Sequence, residues 1–121
     1  MMAKTFIQHD QRLICIVHLW LPEAVAERSV HVVGDFNQWD TQATPMYRDG
    51  QGFWRATLEL EAGRVFRFRY RVDNERWLSE ERPDARVGHH GSMTNAVLIT
   101  DPYFDRFVEE QGWASLVRLA A

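Results

Sequence analysis

Alternation of apolar and polar positions is the dominant pattern along this chain. It is cleanest from Val65 to Asp73, where Phe66, Phe68, Tyr70 and Val72 fall on one face and Arg67, Arg69 and Arg71 on the other. Phe53 to Leu60 alternates as well, with Trp54, Ala56, Leu58 and Leu60 pointing one way and Phe53, Arg55, Thr57 and Glu59 the other. Leu13 to Leu21 is a run of β-branched and aromatic residues closed by Pro22, which cannot continue a strand ladder. Val30 to Val33 and Asn95 to Thr100 are two further strands, and "TPMYRDG" holds room for a short extended piece before Asp49-Gly50. "EAGR" is a turn in which Gly63 supplies positive φ, and a second tight turn near Asp73-Asn74 returns the chain through "ERWL". About six short strands with no helix between them predict an antiparallel β-sandwich.

The tail departs from this pattern. In "DPYFDRFVEEQGWASLVRLAA", Asp101 or Thr100 suits the N-cap of a helix and Pro102 its first position. Phe104, Phe107 and Val108, then Trp113, Leu116 and Val117, recur at helical spacing, with Gly112 as an interruption. The chain therefore divides into a sandwich over residues 1–100 and a helical, amphipathic C-terminal tail over 101–121. Such a helix needs an apolar partner, either its own sandwich or a second copy in a homodimer.

Composition narrows the function classes. Of 121 residues, 45% are hydrophobic and 26% charged, as expected of one soluble domain. A net charge of −3 leaves no broad basic surface for nucleic acid. "LICIVHLWL" is too short to cross a membrane and the N-terminus lacks a signal-peptide layout, so the expected location is the cytoplasm. The single Cys15, in an apolar strand, reads as a buried thiol. The adjacent His89 and His90 lack a partner at ligand spacing, so no metal or other cofactor is expected. No serine carries a nucleophile motif, and Asp35, Asp40 and Asp73 all read as turn residues.

One residue does not fit a core pattern. In "VVGDFNQWD", the strand ends at Gly34 and a polar turn follows, yet the turn carries Trp39. An indole set beside a polar loop is either a lid on the sandwich edge or a platform for a flat, neutral, hydroxylated ligand such as a sugar ring.

"VHVVGDFNQWD", "GFWRATLELEAG", "FRFRYRVDNERW" and "GSMTNAVLI" together resemble the early-set module at the N-terminus of isoamylases and glycogen branching enzymes, grouped as carbohydrate-binding module family 48. They are similar, too, to the glycogen-binding domain of the AMP-activated protein kinase β subunit. The likeness spans about residues 13 to 100. It implies an immunoglobulin-like sandwich, α-glucan (glycogen, starch or maltooligosaccharide) as ligand, a glycogen-metabolising enzyme as partner, and no catalysis in the module itself. In those enzymes the chemistry resides in a separate (β/α)8 barrel.

By motif position, the sugar-contacting residues implied are Trp39, Arg69 in place of the family's Lys, and Trp77. The loop before the last strand adds Ser92 and Asn95, with His90 and Thr94 as weaker matches where the family has Leu and Asn. Strand register tests this set. Arg69 points away from the aromatic core face. A two-residue turn after Val72 puts Trp77 on the core side. A three-residue loop, Asp73-Asn74-Glu75, pairs Arg71 with Trp77 and brings the indole to the arginine face, as the resemblance requires. Two competing readings remain: the arginine row as a solvated sheet face paired with Glu59 and neighbouring carboxylates, and a sandwich that has lost sugar binding and serves protein association, as the amphipathic tail favours.

Overall fold

A computed structural model describes residues 1–88 and 94–104. Among these residues, nine strands form two antiparallel sheets. The first holds β1 (Met2–His9), β2 (Arg12–Pro22), β5 (Phe53–Glu61) and β4 (Tyr47–Arg48), in the order β1-β2-β5-β4. The second holds β3 (Val30–Gly34), β6 (Val65–Val72), β9 (Asn95–Ile99) and β8 (Ala85–Val87), in the order β3-β6-β9-β8, with β7 (Arg76–Leu78) also paired to β6. The sandwich is thus the expected fold class. The core lies between the sheets, where Val17, Leu19, Val32, Phe68, Tyr70, Val72 and Leu98 are each at most 1% exposed. Cys15 belongs to this core, and burial pushes its thiol above the ordinary value.

Two strands, β1 and β8, exceed the sequence reading, while β4 is the short extended piece expected within "TPMYRDG". β1 pairs with β2 along its whole length through the two-residue turn Asp10-Gln11, both residues at positive φ. Its pattern is obscured because Lys4 occupies an inward position: its Nζ reaches the Asp84 carboxylate at 2.7 Å and the Ile99 carbonyl at 2.9 Å, tying the two sheets together along one edge. β8, at three residues, is too short to show a period.

A crossing between sheets shapes one flank. Val32 N–H donates to the Thr44 carbonyl and Met46 N–H to the Val30 carbonyl, so Thr44–Met46 line the free edge of β3. The next two residues, Tyr47 and Arg48, pair instead with β5 in the other sheet.

Asp101, one of the two candidate N-cap residues, accepts the Tyr103 N–H through its carboxylate at 2.8 Å. The helix expected beyond Phe104 lies outside the described residues, as do His89, His90 and Ser92.

Candidate carbohydrate-binding site

β6 organises the site. Phe66, Phe68, Tyr70 and Val72 are buried in the core, so Arg67, Arg69 and Arg71 face outward from the second sheet. β3 flanks one edge of β6, placing Val33 opposite Arg69 and His31 opposite Arg71. The other edge is shared. β9 pairs with it up to Phe68↔Ala96, and β7 takes over from Tyr70↔Leu78. Arg69 sits at this changeover, and its Nε donates to Asn95 Oδ1 at 2.7 Å.

The connection from β6 to β7 has three residues, Asp73-Asn74-Glu75, and pairs Arg71 with Trp77. Asp73 and Asn74 both take positive φ. The Asp73 carboxylate holds this turn by accepting the backbone N–H groups of Glu27, Arg28 and Ser29 at 3.0, 2.6 and 2.9 Å. These bonds stabilise its charged form and lower its pKa to about 2. In the resulting register Trp77 is half-buried on the outer face, and the Arg71 guanidinium stacks 4.8 Å from the indole centroid.

Trp39 arrives from the β3 side. The strand ends at Gly34, a single 3₁₀ turn spans Asp35–Asn37, and Gln38 and Trp39 then both adopt positive φ. Left-handed backbone costs roughly 1–2 kcal/mol at a residue with a Cβ. Local hydrogen bonds offset that cost. Asn37 Oδ1 accepts Gly34 N–H, and its Nδ2 donates to the Val32 carbonyl and Thr44 Oγ1. Trp39 N–H donates to the Gly34 carbonyl at 3.0 Å, and its indole N–H to Asp35 Oδ1 at 2.9 Å. The other Asp35 oxygen accepts the Arg67 backbone N–H at 2.7 Å and its Nε at 3.3 Å. Farther along, Gln42 Nε2 donates to Asn74 Oδ1, so the Trp39 loop is fastened to Arg67 at one end and to the β6–β7 turn at the other.

Asp35 is therefore more than the turn residue it resembled in the sequence. Partial burial alone would raise its pKa, but hydrogen bonds from Arg67 N–H, the Trp39 indole and the Arg67 guanidinium outweigh this and hold it below the ordinary range. Asp35→Ala should lower stability by about 1–2 kcal/mol. Among the five indole N–H signals, that of Trp39 should be the one to shift and exchange faster with solvent.

The geometry brings Trp39, Arg69, Trp77 and Asn95 to the outer face of one sheet. Both indoles are half-buried, and neither belongs to the hydrophobic core. Thr94 is half-buried immediately before β9, with its methyl group against Gly88. Arg71 takes the place opposite Trp77 that the three-residue loop implies, while His31 and Asp35 join the site without having been singled out. The pairing of His31 with Arg71 and of Asp35 with Arg67 is set across strands, which no local sequence signal encodes. The indole platforms supply apolar faces, and Arg67, Arg69 and Arg71 supply donors. Such a surface suits neutral hydroxyls more than it suits proton transfer. Among the described residues no three His, Cys, Asp or Glu groups are placed to hold a metal ion, and no helix is long and apolar enough to cross a membrane.

The sequence is similar to parts of several branching enzymes. A 1,4-alpha-glucan-branching enzyme of Emericella nidulans is 46% identical over 44 residues, 36% of this chain and 6% of that protein. A branching enzyme of Xanthomonas euvesicatoria is 38% identical over 81 residues, 66% of this chain and 10% of the enzyme. One from Marinobacter nauticus is 29% identical over 85 residues, 69% of this chain and 13% of the enzyme. The chain thus spans only a small fraction of the length of these relatives. Residues 8–104 match the family described as carbohydrate-binding module 48, the isoamylase N-terminal domain, which covers most of the chain and contains every site residue discussed above. By that match, this chain is a member of the carbohydrate-binding module 48 family.

Proposed function

We propose that this module binds α-glucan on the outer face of its second sheet, stacking sugar rings on Trp39 and Trp77 and reading hydroxyls with Arg69. One observation carries this: three residues from separate segments share one outward face, and none is consumed by the core. Asn95 fixes the Arg69 guanidinium from one side, and Ser92, His90 and Thr94 belong to the adjoining loop in sequence. The module performs no catalysis. It concentrates a glucan for a glycogen-metabolising enzyme in the cytoplasm, and the chain by itself suffices for binding. A few stacked rings on an open face correspond to a Kd of roughly 10 μM to 1 mM, about −4 to −7 kcal/mol.

Electrophoresis through glycogen-containing gels tests this. The unaltered chain should be retarded, and Trp39→Ala or Trp77→Ala should weaken binding at least about tenfold. Neither change should shift the melting temperature much, because neither indole is in the core. Unfolding of Trp77→Ala would assign that indole to structure.

A second reading, protein association, is favoured by one feature. Ala85, Val97 and Ile99 form a separate apolar cluster against which Val87 and Phe104 pack, where the chain departs into the tail. A dimer in light scattering, without retardation by glycogen, would favour it.

A further inference from the structure

The sheet crossing at residues 44–47 leaves a notch on the flank of the sandwich, where the chain passes from the edge of β3 to the edge of β5. β4 pairs with only Trp54 and Arg55, whereas β5 continues to Glu61. Because Pro45 is committed to a bridge with His31 in the other sheet, nothing continues β4 alongside Ala56 and Thr57. The result is a cleft of about 320 Å³, lined by Thr44, Pro45, Tyr47, Asp49, Arg55 and Thr57 among others. That is the lower end of the size range for a small-molecule site.

Its chemistry is specific. Tyr47 is 68% exposed, an aromatic ring presented directly to solvent. Arg55 lies directly across from it and is fixed on two sides, by an ion pair with Asp49 and by its stack 5.3 Å from the Phe53 ring. Asp49 is fixed in turn by the backbone N–H groups of Gln51 and Phe53. The neighbouring Arg48 faces Glu23 at 3.5 Å and stacks on Trp54. Each cation is therefore matched by a carboxylate. An anion finds no unbalanced positive field, and a cation no unbalanced negative one. What remains is a preorganised donor, a preorganised acceptor and an aromatic face, with little ordering cost on binding.

We infer that this cleft is a second saccharide site, taking a neutral oligosaccharide stretch with a sugar ring on Tyr47 and its hydroxyls on Arg55 and Asp49. The choice of an α-glucan as ligand rests on the function proposed above; the cleft and its charge balance do not. Arg55 and Arg69 project from the outer faces of different sheets, which point in opposite directions across a core about 10 Å thick, so one short saccharide cannot occupy both sites. The module would then bridge two chains of a branched polymer and gain avidity from weak contacts.

Maltotriose titrated into the isotopically labelled chain distinguishes the possibilities by amide shifts. Two separate sets should move, one around Tyr47 and Arg55 and one around Trp39, Arg69 and Trp77. Tyr47→Ala, at an exposed position, should abolish the first set and change affinity at the second less than about twofold; Trp39→Ala with Trp77→Ala should do the converse. Shifts confined to the arginine face overturn this inference and leave the proposed function standing. Shifts confined to the Tyr47 cleft uphold it and overturn the arginine-face site. Stronger displacement of the Tyr47 amides by inorganic phosphate than by maltotriose would overturn the neutral ligand.

Discussion

Replacing Gly34 with alanine should destabilise the protein by about 3 kcal/mol and lower its melting temperature by on the order of 12 °C. The cause is not backbone conformation. Gly34 has φ −171°, an extended value open to any residue. The obstacle is space. A Cβ built there lies 2.4 Å from the Arg67 carbonyl oxygen and 2.7 Å from Phe68 Cβ, and the first of these is backbone that no rotamer change can move. The β3–β6 pair must open at Gly34↔Phe68, beside the bond from Arg67 N–H to Asp35 and the turn that carries Trp39. Fold and site therefore fail together. At low temperature, where the variant remains folded, glycogen retention should also weaken, because Trp39 is held through Gly34 and Asp35. Thermal melts followed by binding on the same samples check both statements. An unchanged melting temperature would mean that the two strands separate here at little cost.

The different readability of these features has a physical basis. β6 was legible because its two faces meet environments as unlike as core and solvent, and a period of two records that contrast directly. The outward direction of Arg69 followed at once. β1 was illegible because Lys4 contributes an inward-facing charge whose partners, Asp84 and Ile99, lie some eighty residues or more away. The turn Asp10-Gln11 takes positive φ without a glycine to announce it. In the sequence Gly34 marks only the end of a strand, whereas in the fold it lets β3 approach β6 closely; the sequence shows a glycine but not what stands against it. Within the site, the side to which each residue points was legible from alternation. Trp77 reached the arginine face only through the length of one loop, which family resemblance rather than periodicity indicated. The contacts of Asp35 with Arg67 and of Arg69 with Asn95 depend on register across strands and had no local signature, whereas Arg71 meets Trp77 through the loop length and Asp35 meets Trp39 within one turn.

That loop is the subject of the second large effect. Asp73→Asn should cost substantial stability at neutral pH, and the cost should shrink in acid. The native carboxylate accepts three backbone N–H groups from Glu27, Arg28 and Ser29. An amide side chain has one acceptor oxygen and turns its NH₂ toward the remaining donors, so at least one N–H loses its partner. The sign of the pH dependence follows from the depressed pKa, about 2 against an ordinary 3.8. A carboxylate that is harder to protonate in the folded state stabilises the fold fully above about pH 4. Its contribution falls as pH drops from there, and is gone below about pH 2. The difference in melting temperature between the native chain and Asp73→Asn should thus be constant from pH 5 to 7 and narrow steadily below pH 4. Asp35 and Asp49, also held below the ordinary carboxylate range, titrate in both proteins and cancel in the difference. Because Asp73 also sets the three-residue connection that turns Trp77 outward, the variant should bind glycogen more weakly even where it is fully folded. A gap that stays constant down to pH 2 would show that the three N–H groups gain nothing from the charge. Unchanged glycogen retention would show that the strand pairing holds Trp77 in register without this carboxylate.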